Sequence, residues 1–227
     1  MPKGIIVTSP IPRSGKTFLC AGLAGSMLST SLGVEAVKPY TFSADNKDQD
    51  YYVHVTKRQP YYDNIYINDW SFSNKGHWGQ LIRACKNMAY PVLLESPGST
   101  PAPLSFETPV LDVTDLSKAL EWPVILVSSA ALMPYEFTTQ AIALLKLKET
   151  NILGFVLTCS EKIDDIKHIE DISTKIALNY GVSCLGIIPF SPSISVENLK
   201  QGNNIKLVEN YVDLHPIQTE LNPVLIM

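Results

Sequence analysis

The sequence predicts an α/β fold: a single doubly wound, mostly parallel sheet with helices on both faces. Two observations carry that prediction. Six short apolar runs (Gly4–Thr8, Val34–Val37, Val92–Glu95, Val124–Ser128, Gly154–Thr158 and Cys184–Ile188) are mostly rich in Val, Ile and Leu and lack polar alternation. Strands buried on both faces have that pattern. Longer amphipathic stretches lie between the runs, and strand–helix alternation of this kind builds a parallel sheet.

Taken in order, the first run leads directly into a helical stretch, Lys16–Thr30. Val34–Val37 is the second strand. The segment Thr41–His77 is rich in Tyr, Asn and Asp. It is too long for a plain loop and is expected to hold a helix near Asp50–Lys57. Trp78–Met88 is a helix ahead of the third run. Tyr135–Lys148 carries Phe137, Ala141, Leu144, Leu145 and Lys148 at helical spacing, and Asp164–Tyr180 places Ile166, Ile169, Ile172 and Ile176 on one stripe. No repeat, low-complexity tract or linker interrupts the chain, so residues 1–227 read as one domain. The 16 prolines fall largely at expected strand ends and loops, as punctuation.

Composition narrows the function classes. Of 227 residues, 18% are charged and 45% fall in the AVILMFWYC set, against about 25% charged in an average soluble protein. A disordered chain would be more charged and less apolar. The formal net charge of −4 and the isoelectric point near 5.6 speak against a basic nucleic-acid-binding domain. No apolar run approaches the ~18 residues of a membrane span, and the start Met1–Thr8 is too short in apolar residues for a secretory signal. Cys20, Cys85, Cys159 and Cys184 are far apart, without a C-x-x-C pair or metal-ligand spacing to His. They read as reduced, mostly buried thiols of a cytoplasmic protein. No nucleic acid and no membrane are expected as partners.

The strongest chemical signal is Ser14-Gly15-Lys16-Thr17, directly after the first strand and opening the first helix. That is the context of a phosphate-binding P-loop, and with it the fold reads as a P-loop NTPase fold. Backbone N–H groups and the helix N-terminus face the phosphates, Lys16 supplies a positive charge, and the Thr17 hydroxyl can hold Mg²⁺. Pro10 stands where the motif has its first Gly, and Pro10 and Pro12 each remove a backbone donor. A second candidate is Glu95, at the C-terminal end of a buried strand beside the small-residue loop Ser96-Pro97-Gly98-Ser99, where a parallel sheet places ligand chemistry. It could hold Mg²⁺ through water. Lys38, at the end of the second run, would point towards the same crevice, or is a solvated surface lysine. Asp45, Asp48 and Asp50 form an acidic patch from which one metal ligand could come, or which is a solvated loop. His54, His77, His168 and His215 show no arrangement for nucleophilic catalysis. Tyr51, Tyr52, Tyr61, Tyr62 and Tyr66 read as half-buried packing or interface residues, and Trp70, Trp78 and Trp122 as packing of helix edges.

The order of these pieces resembles the dethiobiotin synthetase family, P-loop ligases of biotin synthesis. The family opens with strand–G-T-D-T-x-V-G-K-T–helix, and Ser9-Pro10-Ile11-Pro12-Arg13-Ser14-Gly15-Lys16-Thr17 has the same length and its last three residues. Lys38-Pro39 matches a K-P at the end of the second strand. Asp50 ahead of Tyr51-Tyr52-Val53 matches an Asp heading the next helix. Leu94 to Leu104 matches the length of the V-E-G-A-G-G-x-x-x-P-L loop. Pro123-Val124-Ile125-Leu126-Val127 matches P-V-I-L-V, and Leu185-Gly186-Ile187-Ile188-Pro189 the closing L-G-x-I-P. The resemblance implies an ATP- and Mg²⁺-dependent ligase. In that reaction 7,8-diaminononanoate takes up CO₂ as a carbamate, ATP phosphorylates the carbamate, and the second amine closes a cyclic urea. It further implies Lys16 and Lys38 as catalytic cations. Arg13, Ser14, Gly15, Lys16, Thr17 and Phe18 would bind the nucleotide, and Thr17, Asp50 and Glu95 the Mg²⁺. It also implies a homodimer.

The chain departs from the family at Ser9, at Pro12, at Ser96, Pro97 and Ser99 in place of glycine-rich backbone, and at Thr158 in place of an adenine-reading Asn. The helix start that receives the substrate carboxylate in the family reads Met133-Pro134-Tyr135-Glu136, with no N–H at Pro134 and a like charge at Glu136. A second resemblance is to partition-type (ParA/MinD-like) ATPases, through Glu95-Ser96-Pro97-Gly98 for D-x-P-G and through Ile188-Pro189 followed by Asn198-Leu199-Lys200-Gln201-Gly202. That family's lysine ahead of the P-loop glycines corresponds to Ile11, with Arg13 the nearest cation. A degenerate nucleotide-binding paralogue is the third reading. The C-terminal Val224-Leu225-Ile226-Met227 is apolar but too short to anchor the chain.

Overall fold

Ile5 and Val7 face one side of the first strand and Ile6 the other, and all three are fully buried. The same division recurs through the sheet. Leu93, Ile125, Val127 and Val156 join Ile5 and Val7 in one core, while Val92, Leu94, Val124, Leu126, Phe155 and Leu157 join Ile6 in the other. Strands with two apolar faces must be covered twice, which is why the helices divide into two layers.

The computed structural model of the chain describes residues 3–29, 33–38, 47–59, 75–96, 99–100 and 111–222. Its strands are β1 (Gly4–Thr8), β2 (Glu35–Val37), β3 (Val92–Glu95), β4 (Val124–Ser129), β5 (Ile152–Thr158) and β6 (Cys184–Ile188). They form one six-stranded sheet in the order β2-β3-β1-β4-β5-β6, with every pair parallel. The registers Ile6↔Leu94, Ile6↔Val124 and Val37↔Leu94 bring the C-terminal ends of β1, β2 and β3 to one edge of the sheet. In such sheets the ligand crevice lies at that edge, where the strand order reverses about β1.

On one face lie α1 (Lys16–Ser29), α2 (Lys47–Thr56), α7 (Asn204–Tyr211) and α8 (His215–Leu221); on the other lie α3 (Lys75–Lys86), α4 (Val113–Leu120), α5 (Pro134–Leu147) and α6 (Ile166–Tyr180). Helix α1 is the centre of its layer, and Leu19, Cys20, Ala21, Leu23, Ala24 and Met27 are fully buried. Each buried leucine of this kind contributes about 1.5–3 kcal/mol relative to exposure. Gly22 lets α7 lie against α1, because a Cβ there would come 2.4 Å from Val208. Asn204 then ties three helices together, donating to Phe18 O (3.1 Å) and to the Tyr51 hydroxyl (3.2 Å). Among the described residues no helix is long and apolar enough to cross a membrane.

The expected elements are present with shifted ends. The helix expected at Asp50–Lys57 begins earlier, at Lys47, and the one expected at Trp78–Met88 runs from Lys75 to Lys86. Helices α4, α7 and α8 were not expected. A capping box marks α4: the Asp112 side chain accepts from Thr114 N, and Asp115 accepts from Asp112 N. The α6 stripe buries Ile169 and Ile176 with Ser173, while Ile166 is exposed at the helix start. Trp122 is buried against Gly4, and Trp78 packs on the core beneath α3. Tyr61, Tyr62, Tyr66, Trp70 and the 224–227 tail lie outside the described residues.

Candidate functional site

The loop between β1 and α1 is cross-tied on one carbonyl. Ile11 O accepts from Ser9 Oγ (2.7 Å) and from Ser14 Oγ (2.8 Å). Pro10 and Pro12 flank that carbonyl, so the positions without an N–H stand beside the tie. Arg13 (φ 61°) and Gly15 (φ 87°) both lie in the left-handed region. Loops that alternate hand in this way form anion-binding concavities ahead of a helix N-terminus. Thr158, at the end of β5, supports the loop from beneath: its hydroxyl donates to Ser14 O at 2.8 Å, and a Cβ on Gly15 would stand 3.1 Å from it. Thr158 thus braces the loop and also lines the small pocket beside it. From β3, Ser96 Oγ donates to Thr8 Oγ1 (2.9 Å), which pairs with Thr100 Oγ1 (2.7 Å), and Thr100 N donates to Ser9 O (2.6 Å).

Four charged side chains converge in front of this loop. Lys16, the first residue of α1, is buried and donates to Ser9 Oγ at 2.8 Å. Burial pulls its pKa below the ordinary lysine value, partly opposed by the Glu95 carboxylate. Glu95, at the end of β3, is 1% exposed and accepts from Thr17 Oγ1 (3.0 Å), from Lys38 Nζ (3.0 Å) and, through its other oxygen, from the Tyr52 hydroxyl. Lys38, just past β2, also pairs with Asp48. Burial pulls the Lys38 pKa down, but the Glu95 and Asp48 carboxylates outweigh it and hold the ammonium above the ordinary value. Thr17 Oγ1 lies 3.3 Å from Asp48 Oδ1. Burial, with the Glu95 charge beside it, pushes Tyr52 well above the usual phenol range.

Lys16, Thr17, Lys38, Asp48 and Glu95 line a cavity of about 730 Å³ that runs along the loop from Pro12 to Phe18 and is also lined by Ser195, Val196 and Glu197. A pocket of about 160 Å³ adjoins it, sharing Arg13, Gly15 and Phe18 and walled by Ile188, Phe190 and Leu207. Arg13 is exposed at the mouth, 3.9 Å from Glu197.

The structure thus brings together Ser14, Gly15, Lys16, Thr17, Phe18, Lys38 and Glu95, with Arg13 at the rim. Asp50 is not brought to the cluster: it is exposed and does not line the cavity. Two residues apart on a helix is about 200° of rotation, so only one of Asp48 and Asp50 can face Glu95. Asp48 does, and Tyr52, one turn on, points the same way. The signal was the stripe Asp48, Tyr52, Val55 at helical spacing. Asp45, Pro39, Pro97 and Gly98 lie outside the described residues. Pro134 and Glu136 open α5, behind a left-handed Met133 (φ 40°), and do not line this cavity.

Among the described residues no three His, Cys, Asp or Glu side chains gather to hold a metal by themselves. Two carboxylates and one hydroxyl of this kind suit a hard cation such as Mg²⁺, which completes its shell with water and ligand phosphates.

A family model described as an AAA domain (AAA_26) matches residues 3–198. No curated protein matches the chain in sequence. The septum site-determining protein MinD of Pyrococcus horikoshii OT3, solved with Mg-ADP, has a similar structure: TM-score 0.58 and 19% identity, over 92% of this chain and 96% of that one. The MinC:MinD cell division complex of Aquifex aeolicus follows at TM-score 0.57 and 16% identity, over 96% and 93%. The signal recognition particle receptor FtsY of Elizabethkingia anophelis, in complex with GDP, aligns at TM-score 0.60 and 13% identity, over 90% of this chain and 64% of that one. At these identities the likeness establishes the P-loop NTPase fold.

Proposed function

The chain belongs to the AAA_26 family of AAA domains, and from that premise we propose that it is a Mg²⁺-dependent, ATP-consuming ligase of the dethiobiotin synthetase type, a group this family includes. The nucleotide phosphates would lie on the 9–17 loop, and the base in the adjoining apolar pocket against Phe190 and Ile188. A bound Mg²⁺ would supply positive charge against the charge that develops on the phosphates. Thr17, Glu95 and Asp48 are the residues that would hold it.

The observation that carries the ligase reading is Lys38. Phosphate binding on this fold needs one lysine, and Lys16 supplies it. A second lysine, 16% exposed in its side chain, lines the same cavity and would seat a second anion once a cation takes over its partners Glu95 and Asp48. A carbamate formed from an amine and CO₂ is such an anion. Lys38 would hold it in line with the terminal phosphate that Lys16 neutralises. Placement and charge stabilisation then supply the catalysis. ATP would phosphorylate the carbamate, releasing ADP, and the second amine would then displace phosphate and lose a proton as it closes the cyclic urea. A diamine, CO₂ and a second copy of the chain are the partners this reading proposes.

The test is thermal unfolding with nucleotide, Mg²⁺, bicarbonate and 7,8-diaminononanoate, followed by ADP release. Nucleotide at 100 times its Kd stabilises by about 2.7 kcal/mol. Lys16→Ala is expected to abolish turnover. Nucleotide binding without any diamine effect would remove the ligase reading. The resemblance of Glu95-Ser96-Pro97-Gly98 to D-x-P-G favours a second reading, a partition-type ATPase. ATP hydrolysis stimulated by DNA or lipid would select it.

A further inference from the structure

Glu95 makes contacts on both carboxylate oxygens, and they differ in kind. Oε1 faces Thr17 and Lys38 at 3.0 Å each, on the cavity side. Oε2 turns inward and accepts from the hydroxyl of Tyr52, which is 2% exposed. Beside that hydroxyl lies Cys20, fully buried on α1 one turn after Thr17. Three elements meet there: Cys20 from α1, Tyr52 from α2 and Glu95 from β3. The carboxylate is thereby held from behind, by a hydroxyl that does not line the cavity. A phenol is suited to this, because it donates one hydrogen bond from a rigid ring and carries no charge to compete for the cation.

We infer that Tyr52 is a positioning residue that fixes the Glu95 carboxylate so that Oε1 faces the divalent cation. The inference rests on the nucleotide–metal reading above. Outer partners of metal ligands typically change metal affinity by 10–100-fold when removed. They leave contacts with the phosphates unchanged, since those are made by the loop and Lys16.

The experiment is a Mn²⁺ titration, followed by electron paramagnetic resonance, of the full chain saturated with a non-hydrolysable ATP analogue. Tyr52→Phe keeps the ring and removes the hydroxyl. It is expected to weaken Mn²⁺ binding at least tenfold, while affinity for the analogue in EDTA stays within twofold. In a Glu95→Gln background the same change is expected to add less than twofold, because its route is gone. A purely structural role would weaken both ligands together. An unchanged Mn²⁺ affinity in Tyr52→Phe, or a full tenfold loss retained in the Glu95→Gln background, overturns the inference. If Tyr52→Phe does not fold, Tyr52→Leu takes its place, with the same tenfold loss of Mn²⁺ affinity expected and no loss refuting. A wild-type chain that binds neither analogue nor Mn²⁺ refutes the nucleotide–metal reading itself, and the inference with it, before any variant is made.

Discussion

Replacing Lys38 by Met tests the charge balance of the site directly. The side chain keeps much of its length and loses its ammonium. Glu95 is then left at 1% exposure, and Asp48, with a side chain 28% exposed, faces it without the cation between them. Breaking a buried ion pair from one side costs about 3–5 kcal/mol, because the remaining charge is uncompensated. Glu95 keeps its hydrogen bonds from Thr17 and Tyr52, and Asp48 keeps part of its hydration, so the lower end applies, about 3 kcal/mol. For a chain of this size 1 kcal/mol moves Tm by about 2–4 °C, so Lys38→Met should melt roughly 6–12 °C below wild type in metal-free buffer. The pair of carboxylates without its lysine is also a stronger divalent site. Mg²⁺ at ten times its Kd returns about 1.4 kcal/mol to the variant and less to the wild type, where Lys38 competes. Scanning calorimetry with and without Mg²⁺ reads both effects. A Tm within 2 °C of wild type in EDTA, or equal Mg²⁺ shifts in the two proteins, would refute the reasoning.

Two further outcomes follow from the same geometry. Asp48→Asn should lower Mg²⁺ affinity of the nucleotide complex by tenfold or more, whereas Asp50→Asn, exposed on the opposite side of α2, should leave it within twofold; calorimetric titration of Mg²⁺ decides, and equal effects would remove the assignment. Stability should fall above about pH 9, because burial pushes Cys85 and Tyr51 up to about 12 and raises Cys20 and Tyr52 well above their ordinary values. The unfolded chain loses those protons first, so it binds fewer protons than the folded chain, and each titrating group removes up to about 1.4 kcal/mol per pH unit. Lys16, whose folded pKa is lowered, acts in the opposite sense: the cost of keeping it charged fades as pH rises towards 10.5. Urea unfolding at pH 8, 9 and 10 reads the sum, and a flat or rising midpoint would contradict it.

What the sequence made legible is what lies close together along the chain. β1 was readable to the residue, since a strand covered on both faces has no polar position to blur its ends. The 14–17 loop, Lys38 and Glu95 were readable for a related reason: each ends a buried strand or opens a buried helix, and the sheet places such ends at one edge. The choice between Asp48 and Asp50 was not readable, because it turns on helix phase. Starting α2 at Asp50 puts Asp50 at the crevice; starting it at Lys47 puts Asp48 and Tyr52 there. Helix α7 was hidden for another reason. Its sequence buries only Asn204, Leu207 and Val208, and the close approach that Gly22 allows supplies the packing. The glycine-poor P-loop shows what side-chain hydroxyls add to a motif that the sequence carries only in part. Pro10 and Pro12 remove two backbone donors, and Ser9 stands where the dethiobiotin synthetase pattern has its first glycine. The loop closes nonetheless, because Ser9 and Ser14 both tie to Ile11 O, Thr158 braces Ser14 O, and the same Ser9 hydroxyl accepts from Lys16. Three hydroxyls hold the shape, and one of them comes from a strand 144 residues away in sequence. Substituting Ser9 should therefore act on the lysine and the loop together, a coupling that a glycine in its place could not provide.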